Sequence, residues 1–109
     1  MQNPSDRDDA IVAASSGRGH RCVGVAALLA FSDQLNAQGA WIDIVEAFEI
    51  AEGLETPRID LSIYGDHGSY DLPAADRKAL AARRLSETMA IAAKEVSTLG
   101  FDVWLDRDN

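Results

Sequence analysis

A helical seam in the C-terminal third sets the terms for the fold. After Pro73, the residues Ala81, Leu85, Met89, Ala92, Val96 and Leu99 recur at three- and four-residue steps, the spacing of one buried helix face. Arg77, Lys78, Arg83, Arg84, Glu87 and Lys94 fall largely elsewhere. Proline has the preset dihedral of a first helical residue, and Gly100 reads as the residue that closes the helix. Unbroken, such a helix runs about 40 Å at 1.5 Å per residue. Directly behind it, Phe101, Asp102, Val103, Trp104, Leu105 and Asp106 alternate apolar and polar, the period of a half-buried strand. A long helix feeding a strand requires a sheet for the helix to lie on.

The upstream sequence supplies more of that sheet. Residues 10–14 form a short apolar run that reads as a buried strand, and residues 15–20 (Ser-Ser-Gly-Arg-Gly-His) form a glycine-bearing turn after it. From residue 22 to about 37, Val23, Ala26, Ala27, Ala30, Phe31 and Leu35, with Leu28 alongside, follow a helical pattern. Gly39 stands where a left-handed C-terminal cap belongs, and Gly24 falls inside this helix. Residues 41–52 fit two readings. With period two, the Trp41-Ile42-Asp43-Ile44-Val45 opening is a strand that runs into a helical turn. With period 3.6, Trp41, Ile44, Val45, Phe48 and Ala51 share one helix face, while Asp43, Glu46 and Glu49 gather on another. Thr56-Pro57 marks a boundary. Residues 58–64 alternate over their whole length and give the clearest strand signal, ended by a polar loop over 65–71.

Strands separated by helices imply crossovers that bring them into parallel. The expectation is an α/β fold: a flexible tail over residues 1–9, then one small domain over 10–109, with three to four mostly parallel strands packed with two to three helices. A chain of 109 residues suits one domain. In that topology the turns at 15–20 and 65–71 both follow strands and precede helices, so they share the carboxyl edge where open α/β sheets place ligands.

The single cysteine, Cys22, rules out an intramolecular disulfide and favours a reducing compartment. No apolar run approaches the roughly 20 residues that span a bilayer, and the first residues lack the basic and apolar parts of a signal peptide. The expected location is cytoplasmic. The formal net charge is −8, a field that repels nucleic acid and anionic membranes and steers basic partners inward.

Two sets of residues carry candidate chemistry. The first is acidic: Asp43, Glu46, Glu49, Glu52, Glu55 and Asp60, with only Arg58 as internal compensation. It presents carboxylates to a basic partner, in the manner of a phosphate row. The second comprises the two turns, with Gly17, Arg18, Gly19 and His20 in one and Asp66 and His67 in the other. Glycines at a strand-to-helix junction let backbone N–H groups approach an anion, and His20 or His67 could handle a proton. The two histidines show no metal-ligand spacing, so no metal or other cofactor is expected. Cys22, at a helix start beside arginines, is a candidate reactive thiol.

The segment from Ile11 through the Gly17-Arg18-Gly19-His20 turn, the alanine-rich helix and Gly39 to Glu49 resembles the start of the diacylglycerol-type galactosyl and glucosyl transferases. The resemblance covers about residues 10–50. It implies a nucleotide-binding fold with Gly17, Gly19 and His20 as loop residues. That family builds two nucleotide-fold domains, and this chain could supply at most part of one.

The leading functional expectation is a small, acidic, non-enzymatic binding protein, an inhibitor or nucleic-acid mimic that engages a basic partner, nucleic-acid-binding proteins included, through the acidic residues. Phage-encoded inhibitors such as anti-CRISPR proteins are analogous in size and charge. The alternative is a small-ligand or phosphate-binding domain, or an enzyme, using the two turns. Neither reading involves a membrane or direct contact with nucleic acid.

Overall fold

The computed structural model describes residues 19–64 and 71–107. Along the chain run strand β1 (His20–Val23), helix α1 (Val25–Asn36), strands β2 (Ala40–Ala51) and β3 (Leu54–Pro57), a 3-10 turn at Ile59–Leu61, helix α2 (Ala74–Ala92) and strand β4 (Thr98–Arg107). The four strands form one sheet in the order β1-β4-β2-β3, and every ladder in it is antiparallel. The domain is α+β, and the mostly parallel sheet expected from the sequence is corrected. The crossovers do join co-oriented strands, because β1 and β2 both run opposite to β4, and β3 and β4 both run opposite to β2. In each case another strand occupies the place between the two, so no parallel neighbours result.

The central ladder is β2 with β4, whose partners run from Ala40 opposite Arg107 to Ile50 opposite Thr98, with a bulge at Asp43 between Ile42 and Ile44. Residues 41–52 are therefore strand up to Ala51. A strand flanked on both sides draws ladder bonds from two neighbours, which settles the ambiguous period in favour of two. The helical turn expected at its end is replaced by a hairpin through Glu52 (φ 53°) and Gly53 (φ 78°), the pair of positive φ values that two-residue hairpins require.

Alternate residues of the strands meet both helices in one core. Cys22 of β1, Ala40, Ile42, Val45 and Ala47 of β2, and Leu99, Phe101 and Val103 of β4 pack with Leu28, Phe31 and Leu35 of α1 and Leu85, Met89 and Ala92 of α2. α1 turns Leu28, Phe31, Ser32 and Leu35 inward, whereas Ala26, Ala27 and Ala30 of the expected face are exposed. Larger side chains bury more apolar area per position than alanine, so the helix rotates to seat them. α1 starts after Gly24, which has φ 92° and is not inside the helix. Gly39, at φ 75°, follows the helix end as expected of a left-handed residue.

α2 begins behind Pro73 and buries Ala81, Leu85, Met89 and Ala92. It stops there, short of the expected end at Gly100. Lys94 N–H turns to Ile91 C=O (3.1 Å) and Glu95 N–H to Ala92 C=O (3.0 Å), the tightened bonds that satisfy a helix's last carbonyls. Val96 is fully exposed and Leu99 belongs to β4. Gly100 lies inside β4, opposite Phe48, and a Cβ there would stand 2.3 Å from the Phe48 ring. Its role is to leave room for that ring against the strand.

Residues 58–64 do not form the strand their alternation suggests. Pro57 ends β3, the 3-10 turn follows, and Ile63 makes one isolated bridge to Val45. The edge of β2 is nonetheless satisfied atom by atom. Arg58 N–H donates to Ala47 C=O (2.8 Å), and Val45 and Ile63 exchange bonds of 2.9 and 2.8 Å. Ala47 N–H donates to the Ser62 hydroxyl (2.9 Å), which donates to Arg58 C=O (2.8 Å). One side chain thus replaces a ladder bond, and the chain is free to loop outward with Ile59 exposed. No helix among the described residues is long and apolar enough to cross a membrane.

Candidate functional site

The site lies on the sheet face opposite the helices, at the end where β2, β3 and the segment after β3 meet. Strand alternation turns Glu46, Phe48 and Ile50 of β2, Gly100, Asp102 and Trp104 of β4 and Arg21 of β1 to this face. Two aromatic rings pack closely against glycines: Phe48 against Gly100 of β4, and Trp104 against Gly19, just before β1. The outer side of the Phe48 ring is covered by Arg21, whose Cζ is 4.4 Å from the ring centroid. Phe48 is thereby buried between Arg21 and Gly100.

Arg21 also grips two carboxylates. Its Nε and Nη2 donate to Asp102 Oδ1 and Oδ2 (3.0 and 3.1 Å), and Nη2 donates to Glu55 Oε1 (3.3 Å), with Nη1 on the other Glu55 oxygen. These hydrogen bonds raise the guanidinium further above its ordinary value, Asp102 contributing most. A second arginine gathers Glu49 of the hairpin with two carboxylates from beyond it. Arg58 donates to both Asp60 oxygens (3.0 and 2.9 Å), to Glu49 (3.2 Å) and to Glu95 (2.6 Å). Asp60 is held below the usual carboxylate range by its bonds to Arg58.

Between these groups is a surface cavity of about 350 Å³, lined by Glu46, Phe48, Glu55, Pro57, Ile59 and Tyr64 along with Ala47 and Ser62. It combines two carboxylates with an exposed phenol ring and apolar walls. Glu46 stands opposite Asp102 across the strands, a like-charge pair that Arg21 moderates by taking up Asp102. Among the described residues Glu46 has no ion pair of its own.

The six expected acidic residues do not form one face. Alternation along β2 sends Glu46 and Glu49 to opposite sides of the sheet. Asp43 sits at the bulge near the far end of β2, and Glu52 at the hairpin tip, about 30 Å away along the strand at roughly 3.3 Å per residue. Glu49 and Asp60 meet at Arg58, while Glu46 and Glu55 meet at the cavity. Arg21, Asp102 and Tyr64 join Glu46 and Glu55 near the cavity, and Glu95 joins Glu49 and Asp60 at Arg58, but no sequence pattern links them, since β1, β4 and the end of α2 reach these places only through strand order.

Of the turn residues, Gly17, Arg18, Asp66 and His67 lie outside the described residues, as does the apolar run at 10–14. Gly19 immediately precedes β1 and faces Trp104. His20 opens β1, with its ring 4.6 Å from Phe31 between centroids. The junction with α1 comes at Gly24, so Gly19 and His20 do not stand at a helix N-terminus. Burial holds the imidazole below its ordinary value, against a weaker opposing pull from Asp102. Cys22 is within β1 and buried, not at the start of a helix. Burial, followed by the charge of Asp102, pushes its thiol up to about 11, so the expected reactive cysteine is an un-ionised core side chain at neutral pH. Among the described residues no three His, Cys, Asp or Glu side chains gather as metal ligands.

No protein-family model, no curated protein and no solved structure matches this chain.

Proposed function

We propose that this chain is a non-enzymatic acidic binding protein whose partner is a basic protein, engaged through the β2–β3 hairpin and the adjoining sheet face. The observation that carries the reading is a local surplus of carboxylates. Glu55 and Asp102 already converge on Arg21 beside the cavity, and Glu49, Asp60 and Glu95 converge on Arg58 just after β3, so five carboxylates surround two arginines. Glu46 and Glu52 add to that excess. Such a surface attracts cationic groups and speeds their encounter. A partner whose own basic surface serves nucleic acid would be inhibited by competition.

Binding of lysine- and arginine-rich peptides, followed by fluorescence anisotropy at low and high salt, tests the reading. Affinity should fall as salt screens the surface, with a Debye length of about 10 Å at 0.1 M. The double reversal Glu46→Lys with Glu52→Lys should weaken binding at least tenfold while a circular-dichroism melt shows the fold retained. Basic peptides that fail to bind at low salt, or bind the reversed variant equally well, would overturn it. The double reversal avoids Glu49 and Asp60, whose bonds to Arg58 hold the turn after β3.

A further inference from the structure

Building on that reading, we propose that the cavity beside Phe48 receives one arginine side chain of the basic partner. At about 350 Å³ it lies at the small end of ligand cavities, which run from roughly 300 to 1,000 Å³, and suits a side chain better than a folded element. Its lining supplies each component of guanidinium recognition. Glu46 and Glu55 offer carboxylate oxygens, Tyr64 offers an exposed ring, and Pro57 and Ile59 offer apolar surface for the methylene stem. A guanidinium can pair with a carboxylate through a planar fork and stack on a ring at once, whereas an ammonium is a compact, strongly hydrated point charge.

The protein already makes this arrangement once, next door. The Arg21 guanidinium lies on the Phe48 ring and reaches the carboxylates of Asp102 and Glu55. Glu55 contributes to both places, through its bonds to Arg21 and through the cavity wall. Phe48, covered by Arg21 and only 6% exposed, has no free face left for a second cation. The incoming group therefore stacks on Tyr64 and pairs with Glu46, which is exposed and without an ion pair among the described residues. Phosphate-bearing ligands are repelled by the same carboxylates, so a nucleotide does not fit this cavity.

The test compares nona-arginine with nona-lysine, two peptides of equal length and charge, by anisotropy at one salt concentration. Nona-arginine should bind at least roughly fivefold more tightly, a factor within the range of a desolvated cation–ring contact. Glu46→Gln and Tyr64→Ala should each remove the preference, while Tyr64→Phe, which keeps the ring, should preserve it. Each variant is melted first, and amide shifts on titration should centre on Glu46, Ser62 and Tyr64. If both peptides bind equally and neither variant matters, the arginine cavity is refuted while the acidic binding reading stands. If neither peptide binds, both fail together.

Discussion

Replacing Gly100 with alanine tests whether the Phe48 ring is wedged as tightly as the geometry indicates. A Cβ at position 100 would stand 2.3 and 2.5 Å from the Cε2 and Cζ atoms of Phe48 and 3.1 Å from Ile50 Cδ1. Carbon atoms pack at about 3.5–4.0 Å, so the ring has to rise by roughly 1 Å. Ile50 can yield at the end of a flexible side chain. Phe48 cannot rise without lifting the Arg21 guanidinium, 4.4 Å above its centroid, away from Asp102 and Glu55. Overpacking of this kind costs about 1–3 kcal/mol. It is offset by the roughly 0.4–1 kcal/mol that alanine contributes by restricting the unfolded chain. The net expectation is a loss of about 1–2 kcal/mol, or some 5–15 °C in Tm for a domain of this size. Urea and thermal unfolding of Gly100→Ala, Phe48→Leu and the double variant read it directly. In the Phe48→Leu background the alanine should be neutral or stabilising, giving a coupling of at least about 1 kcal/mol. A Gly100→Ala protein as stable as the parent, or a penalty unchanged by Phe48→Leu, would show that the ring is not seated on the glycine.

Ser62→Ala should strand the buried Ala47 N–H, which donates to the hydroxyl at 2.9 Å, and cost about 1–3 kcal/mol; Ser62→Thr, which restores an oxygen, should recover much of it in the same urea titration. His20 gives a pH dependence of defined sign. Its folded value lies below the ordinary 6.5, so its contribution is complete above pH 6.5. As pH falls from 6.5 towards and through the folded value, the unfolded chain binds the proton first and stability declines. Urea midpoints from pH 8 to 5 should therefore drop more steeply for the parent than for His20→Gln, and equal slopes would contradict a half-buried imidazole held neutral.

Local chemistry in the sequence marks several elements that the structure contains. Pro73 at the start of α2, Gly39 behind α1, the buried run Ala81-Leu85-Met89-Ala92 and the alternation from Phe101 to Asp106 each depend on neighbours a few residues away. Strand order depends on partners far along the chain. Nothing in the residues of β4 says that they insert between β1 and β2, and that insertion turns an expected parallel sheet into an antiparallel one. Gly24 and Gly100 show the same limit at single positions. Local pattern puts Gly24 inside a helix and Gly100 at a helix end, yet Gly24 adopts φ 92° ahead of α1, and Gly100 makes room for a ring 52 residues upstream. The alternation over 58–64 misleads because Pro57 offers no N–H, and the Ser62 hydroxyl meets the need that a further strand would have met. For the site, composition exposed the acidic stretch. Its division between two arginines followed from strand parity at Glu46 and Glu49 and from the remote Asp102 and Glu95.

That division explains how so acidic a surface coexists with a stable sheet. Like charges directly opposite on neighbouring strands weaken their pairing, and Glu46 faces Asp102 across the central ladder. Arg21 relieves the pair from β1 by gripping Asp102 on one side and Glu55 on the other, so residues of all four strands share in absorbing the repulsion. Arg58 does the same at the end of β2 for Glu49, Asp60 and Glu95. Exposed ion pairs of this kind contribute little each to stability. Their greater effect is positional. They pin Glu55 and Glu49 of the hairpin in place and keep Arg21 over Phe48, which fixes the cavity wall beside Glu46 and Tyr64. In the proposed complex a cation would meet a wall ordered in part during folding, the condition under which a modest contact area gives useful affinity.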